Sequence, residues 1–156
     1  MNILQVVPSM DPKGGGVCQG IRNNIPEYTK QGIQNEVVCF DDPKADFIKT
    51  DLFITHALGK AKTPWNYNKN FIPWILSNIE RFDVIIVHGL WLYQSQAAIK
   101  AMLTYRKTNG SKPKVYVMSH GMLDPYFQKA KDRKLKALRN TIYWKLLENK
   151  VINQAD

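Results

Sequence analysis

Three short segments carry residue types that bind or move charge. His88-Gly89-Leu90-Trp91 and Ser119-His120-Gly121-Met122-Leu123-Asp124-Pro125 each set a histidine before a glycine. Imidazole titrates near neutral pH, so either ring can donate to or accept from a ligand hydroxyl or phosphate. The third segment is Lys13-Gly14-Gly15-Gly16. Glycine backbone can approach an anion closely, and a helix opening behind it offers free N–H groups and the positive end of a dipole. Each segment also has a plainer use: the glycines as a tight turn, the histidines as caps on backbone carbonyls.

Several familiar chemistries fail on spacing. A P-loop needs Gly-x4-Gly-Lys-Ser/Thr. Gly15 to Gly20 has the interval, but Ile21-Arg22 follows, so the phosphate lysine and the magnesium hydroxyl are missing. The dinucleotide fingerprint needs a third glycine where Gln19 stands, although Asp41 and Asp42 lie about 20 residues on, where a ribose-binding acid would be. No His or Cys pair has zinc-ligand spacing, so no zinc site is expected. No Gly-x-Ser-x-Gly is present, and Cys18 has no histidine near it in sequence. His56 has no glycine partner and is read as structural.

The elements that must position these segments alternate. Ile3–Val7 is an apolar run interrupted only by Gln5, and reads as a buried strand. A Gly/Pro loop leads into a helix over 17–31 with Val17, Ile21, Ile25 and Tyr28 on one face, bent at Pro26 and closed by Gly32. Glu36–Phe40 is a second strand, and Leu52–Thr55 a short third. Phe71, Ile75, Ile79 and Phe82 have helical spacing. Asp83–Val87 is continuous and β-branched, as buried parallel strands are. Ser95–Lys107 is a helix and Lys114–Met118 a strand. A helix over 126–149 would bury Leu135, Leu138, Ile142 and Leu146, and Val151-Ile152 would open one more strand. This alternation predicts an α/β fold, a Rossmann-like doubly wound parallel sheet in one domain over residues 1–156. In such sheets ligands bind outside the carboxyl ends of the strands, where all three segments would lie.

Composition sets the outer limits. The 156 residues are 44% hydrophobic and 22% charged, close to globular averages, which argues against disorder and coiled coil. No apolar run reaches a membrane span, the amino terminus lacks a basic n-region, and two cysteines make no disulfide scaffold, so a cytoplasmic setting is expected. Net charge is +9, and 126–150 holds eight basic residues against two acidic ones. Lys129, Lys131, Arg133 and Lys134, beside Tyr126 and Phe127, read either as a solvated helix face or as a surface for anionic lipid. No recognisable nucleic-acid module fits a doubly wound sheet, so nucleic acid is not an expected partner.

Taken together, Ile3-Leu4-Gln5-Val6-Val7-Pro8-Ser9 with the Gly14–Gly16 loop, the segment Asp83–Trp91 ending in His-Gly-Leu-Trp, Ser119–Pro125, and the helix through Tyr143, Trp144 and Leu147 toward Ala155-Asp156 resemble the N-terminal domain of GT-B glycosyltransferases of the group 1 (family 4) type. Residues 41–70 carry no match. The resemblance implies the acceptor-side half of a retaining two-domain enzyme, whose C-terminal donor-binding domain lies outside this sequence. It implies a nucleotide-sugar donor, a glycan or lipid-linked acceptor of surface polysaccharide or lipopolysaccharide, no cofactor, and peripheral attachment at the inner membrane face. By the same resemblance Gly14, Gly15 and Gly16 lie at the donor phosphates and His120 at the reacting centre. His88, Trp91 and Asp124 fall on the acceptor side. A binding module without catalysis and a nicotinamide-binding Rossmann protein are the other classes open to the sequence.

Overall fold

A computed structural model describes residues 1–124 and 134–156. The amino-terminal apolar run forms β1 (Asn2–Val6), and a 3-10 turn at Pro12–Gly14 leads into α1 (Gly16–Lys30). Then come β2 (Gln34–Cys39), the short α2 (Asp46–Lys49), β3 (Ile54–Ala57), α3 (Phe71–Asn78), β4 (Val84–His88), α4 (Tyr93–Asn109) and β5 (Lys114–Met118). The chain resumes in α5 (Lys134–Tyr143), a π-helical segment (Trp144–Glu148) and α6 (Asn149–Ile152), in unbroken succession.

The five strands make one all-parallel sheet in the order β3-β2-β1-β4-β5. The chain works outward from β1 to β3, then crosses back to place β4 on the other side of β1. The order therefore reverses between β1 and β4, which opens a crevice at their carboxyl ends. Helices cover both faces. On one, α3 and α4 pack over Leu4, Val6, Val38, Ile85, Val87 and Val115. On the other, Cys18, Ile21 and Ile25 of α1 pack over Val37 and Cys39. The α/β doubly wound expectation holds. Each fully buried aliphatic of this core contributes roughly 1.5–3 kcal/mol. The α1 helix runs unbroken through Pro26, which lies on its exposed face.

Two expectations fail. Leu135, Leu138, Ile142 and Leu146 are not a buried stripe: they are 85%, 59%, 51% and 62% exposed. Asn140, Tyr143 and Glu148 face inward instead. The π segment widens the turn, so the inward face steps from 143 to 148. Tyr143 fixes the rotation by stacking on Trp65, ring centroids 5.0 Å apart, and meeting Trp91 edge-on. Val151-Ile152 does not begin a strand, because the helix continues through Ile152. The backbone of Val115 on β5 is met by Asp156 instead: its carboxylate accepts the Val115 N–H at 2.8 Å, and its own N–H donates to the Val115 carbonyl at 2.8 Å. Lys129, Lys131 and Arg133 lie outside the described residues. Lys134 opens α5.

Candidate functional site

The loop after β1 is built to be rigid. Asp41, just past β2, accepts from the Ser9 hydroxyl at 2.6 Å and from the Met10 N–H at 2.7 Å. Asp42 accepts from the Lys44 N–H, a turn bond. The two acids at ribose-binding distance in sequence thus anchor backbone. Gly15 adopts φ +98°, a left-handed backbone that favours glycine, and no side chain caps α1 behind it. Gly14, Gly15 and Gly16 are exposed, and a Cβ on any of them would meet nothing within 4 Å. The glycines at the start of α1 therefore border uncrowded space. Cys18 is buried, and its thiol donates to the Gly15 carbonyl at 3.0 Å, which makes it a brace for the loop.

The two histidine loops interlock. Gly89 has φ +82°, and its N–H donates to the Met118 carbonyl at 2.9 Å. The Met122 methyl lies 3.2 Å from where a Cβ would stand on Gly89, and the Leu90 N–H donates to the Met122 sulfur at 3.2 Å. The left-handed backbone favours glycine here, and a Cβ would press on the tip of Met122. Gly121 has φ +74° and His120 itself φ +48°.

This geometry brings His88 and His120 together. His88 Nδ1 and His120 Nε2 are 2.7 Å apart, with the rings nearly coplanar at 16°. His88 is only 5% exposed, whereas His120 is exposed. Burial, with the neighbouring His120 charge second, pushes the His88 pKa down to about 4. Burial also lowers His120. At neutral pH the pair is therefore uncharged.

Two cavities meet at His88. One, about 260 Å³, lies in the crevice between the β1 and β4 ends, walled by Pro8, Ser9 and Gly14 on one side and His88, Gly89 and Met122 on the other. The second, about 200 Å³, runs beneath α1 between Gly16, Gly20 and Asn24 and the pair His88 and His120. Gly16 shares the second cavity with both histidines, and Gly14 shares the first with His88.

Trp91 is turned elsewhere. It has φ +68°, is 8% exposed, and packs against Tyr143 and Trp144. It ties the His88 loop to α5. Asp124 is exposed, and its N–H donates to the Gly121 carbonyl at the end of the His120 turn. His56 is remote from the crevice: it bonds Glu36 at 2.6 Å, and Glu36 also pairs with Arg81. Among the described residues no group of three or more His, Cys, Asp or Glu side chains is placed to hold a metal ion. No helix among them is long and apolar enough to cross a membrane.

Sequence reasoning missed Gln5 and Asn35. Gln5 Oε1 lies 2.7 Å from His88 Nε2, and Gln5 Nε2 donates to Asn35 Oδ1 at 2.8 Å. The signal was a polar residue inside an otherwise apolar strand. A buried amide in the middle of a parallel sheet needs a partner.

No family model matches the chain, and neither does any curated protein sequence. Among solved structures the chain is similar to a glycosyltransferase from Rickettsia africae ESF-5, with 16% identity and a TM-score of 0.45, over 83% of this chain and 34% of that one. The chain spans about a third of the length of that protein.

Proposed function

We propose that this domain is the acceptor-side half of a GT-B glycosyltransferase of the group 1 type, passing a sugar from a nucleotide diphosphate to an acceptor hydroxyl in surface polysaccharide or lipopolysaccharide synthesis. One observation carries the reading: the open glycine loop at the start of α1 and the His88–His120 pair border the same region at the strand-order reversal. The motifs Gly14–Gly16, His-Gly-Leu-Trp and Ser-His-Gly-Met-Leu-Asp-Pro that resemble the family are the segments that converge there.

In this reading charge develops on the leaving phosphate as the sugar departs. The N–H groups opening α1 and the dipole of that helix face it and stabilise it without reorganising. Gly14, Gly15 and Gly16 leave room for its oxygens. His120, the exposed member of the pair, meets the transferred sugar, and His88 stands behind it. Trp91 and Asp124 shape the acceptor side, Trp91 by holding its loop. The donor half would come from a second domain, so this chain alone is expected not to turn over. No metal or cofactor is invoked.

The exposed aliphatic ridge of α5 and the π segment supports a lipid-linked acceptor. Leu135, Leu138, Ile142 and Leu146 lie outward, with the exposed Arg139 and Lys145 beside them. An apolar ridge rimmed by cations suits the headgroup layer of an anionic leaflet, here the cytoplasmic one, with Lys129, Lys131, Arg133 and Lys134 adding charge.

The test is a titration of the chain with uridine, guanosine and adenosine diphosphate sugars, followed through backbone amides and imidazole signals. Shifts centred on Gly14–Cys18 and His120 are expected. Binding of a nicotinamide dinucleotide in preference to all three, or shifts that avoid His120, would overturn the reading.

A further inference from the structure

The two histidines end a longer chain of hydrogen bonds that crosses three strands. Asn35 Nδ2, on β2, donates to the Ile33 carbonyl at 3.5 Å. Asn35 Oδ1 accepts from Gln5 Nε2, on β1, at 2.8 Å. Gln5 Oε1 then faces His88 Nε2, on β4, at 2.7 Å, and His88 Nδ1 faces His120 Nε2 at 2.7 Å. Gln5, Asn35 and His88 are 4%, 7% and 5% exposed, so the links between them are shielded from bulk water.

The orientation of the two amides sets the direction of every link, for Gln5 Nε2 donates to Asn35 Oδ1 and leaves Gln5 Oε1 to face His88. A backbone carbonyl only accepts, so Asn35 presents its NH2 to Ile33 and its oxygen to Gln5. Gln5 must then donate to Asn35 and turn its own oxygen to His88. An amide oxygen only accepts, so the proton of His88 sits on Nε2. The ring is neutral, so Nδ1 is a bare lone pair. It can be satisfied only if His120 carries its proton on Nε2. One nitrogen remains: His120 Nδ1, unprotonated, with no hydrogen bond from any described residue.

We propose that Gln5 and Asn35 are positioning residues that lock His120 in its Nε2–H tautomer, so that the site meets its ligand with an acceptor and selects one that offers a hydroxyl to Nδ1. The inference rests on the reading that His120 faces the ligand, and adds the polarity of that contact. A sugar hydroxyl is a donor and fits. A carbonyl, an ether oxygen or an ionised phosphate at that point only accepts and is rejected, which would keep the donor phosphates at the glycine loop and away from His120. Both rings sit below the ordinary imidazole range because of burial, which keeps the lock neutral.

The experiment reads the imidazole nitrogens of the ligand-free chain by long-range proton–nitrogen correlation at neutral pH. His88 and His120 are expected to carry their protons on Nε2. A proton on Nδ1 of either ring overturns the proposal. In Gln5→Leu, His88 loses the acceptor for its Nε2 proton, and its best remaining arrangement is an Nδ1–H that donates to His120. The His120 proton then shifts to Nδ1, by about tenfold in population, equivalent to ~1.4 kcal/mol. If Gln5→Leu does not fold, Gln5→Glu is read instead. Its carboxylate charges His88 and drives the His120 proton the same way. A folded variant that keeps both wild-type tautomers overturns the proposal, since a merely structural Gln5 would change only the melting temperature. An Nε2–H His120 that responds to no nucleotide-sugar supports the lock while breaking the functional reading. A sugar-responsive His120 in the Nδ1–H form does the reverse.

Discussion

Two buried polar sites in this molecule stand a short way apart and are built on opposite terms. Around His88 every buried polar atom of the relay has a partner, ending on the Ile33 carbonyl. Around Glu148, fully buried at 0% exposure, the carboxyl faces Ser95 and the Trp91 N–H at the amino end of α4, yet neither oxygen completes a hydrogen bond. The first site is a satisfied network, which rigidifies its members. The second is an acid held out of water, and burial pushes its pKa up. Both titratable groups resist charging in the fold, but one is a base and the other an acid, so they destabilise the fold at opposite ends of the pH scale.

The largest expected effect is at the acid end. The folded His88 pKa of about 4 lies below its ordinary value of 6.5. The unfolded chain therefore binds a proton that the fold refuses. Stability from this site is complete above pH ~6.5 and falls by about 3 kcal/mol as pH drops toward 4. Urea unfolding of wild type and His88→Gln across that range checks it: the variant should lack this part of the slope, and parallel curves would show that His88 is not held neutral.

The joint between the histidine loops comes next. Gly89→Ala forces a Cβ into a left-handed backbone and toward Met122, at a cost of about 2 kcal/mol. Adding Met122→Ala should recover the steric share alone. Full recovery in the double variant would mean that the φ of Gly89 matters little.

At Glu148 the sign reverses. Its folded pKa is raised, so the fold prefers the proton. Its contribution is intact below the ordinary value of 4.5 and is lost as pH rises through the folded value. Glu148→Gln should therefore stabilise the chain at neutral pH by about 1 kcal/mol, roughly 2–4 °C in Tm for a domain of this size, with no gain in acid. A loss of stability at neutral pH would show that the carboxylate is hydrogen-bonded to α4 after all.

The smallest stability effect belongs to the outer side of the same helix. Leu138→Ser with Leu146→Ser should change stability by less than about 0.5 kcal/mol, because both side chains are exposed. Salt-sensitive binding to vesicles of anionic lipid should fall sharply. Equal binding by wild type and variant, or none by wild type at low salt, would remove the membrane from the proposal.

The sequence reading reached as far as local spacing reaches. Lys114–Met118 is β5 to the residue, and the apolar runs at 3–7 and 83–87 sit within one residue of β1 and β4. Strand–helix alternation gives the parallel sheet, and histidines directly after strands fall at its carboxyl rim. What escaped depends on partners far away in sequence. Helical spacing assigned Leu135, Leu138, Ile142 and Leu146 to the core, but spacing does not say which face turns inward: in α5 it is Asn140 and Tyr143, held by Trp65 from far earlier in the sequence, and the π segment then carries the inner face on to Glu148. Trp91 looks like a cleft residue until Tyr143 and Trp144 arrive from the far end of the chain. Gln5 stood out only as an interruption, because nothing local reveals that residue 88 needs its oxygen.

The strand order also dictates when the site exists. β1 can pair with β2 across a short connection, since Ile3 lies beside Asn35, and β3 can add to that edge. The central pairing of β1 with β4 sets Ile3 beside Val84 and has to wait until more than half the chain has been made. Closing so long a loop is entropically slow, and parallel pairing rewards it only once it is complete. Pulse-labelled hydrogen exchange should accordingly protect Val37 and Val38 before Val87. Until that step Gln5 and Asn35 hold each other on an open edge. The hydrogen bond that joins Gln5 to His88 spans 83 residues and forms only when the two halves of the sheet meet, so a newly made chain acquires its binding polarity in the same step that closes its sheet.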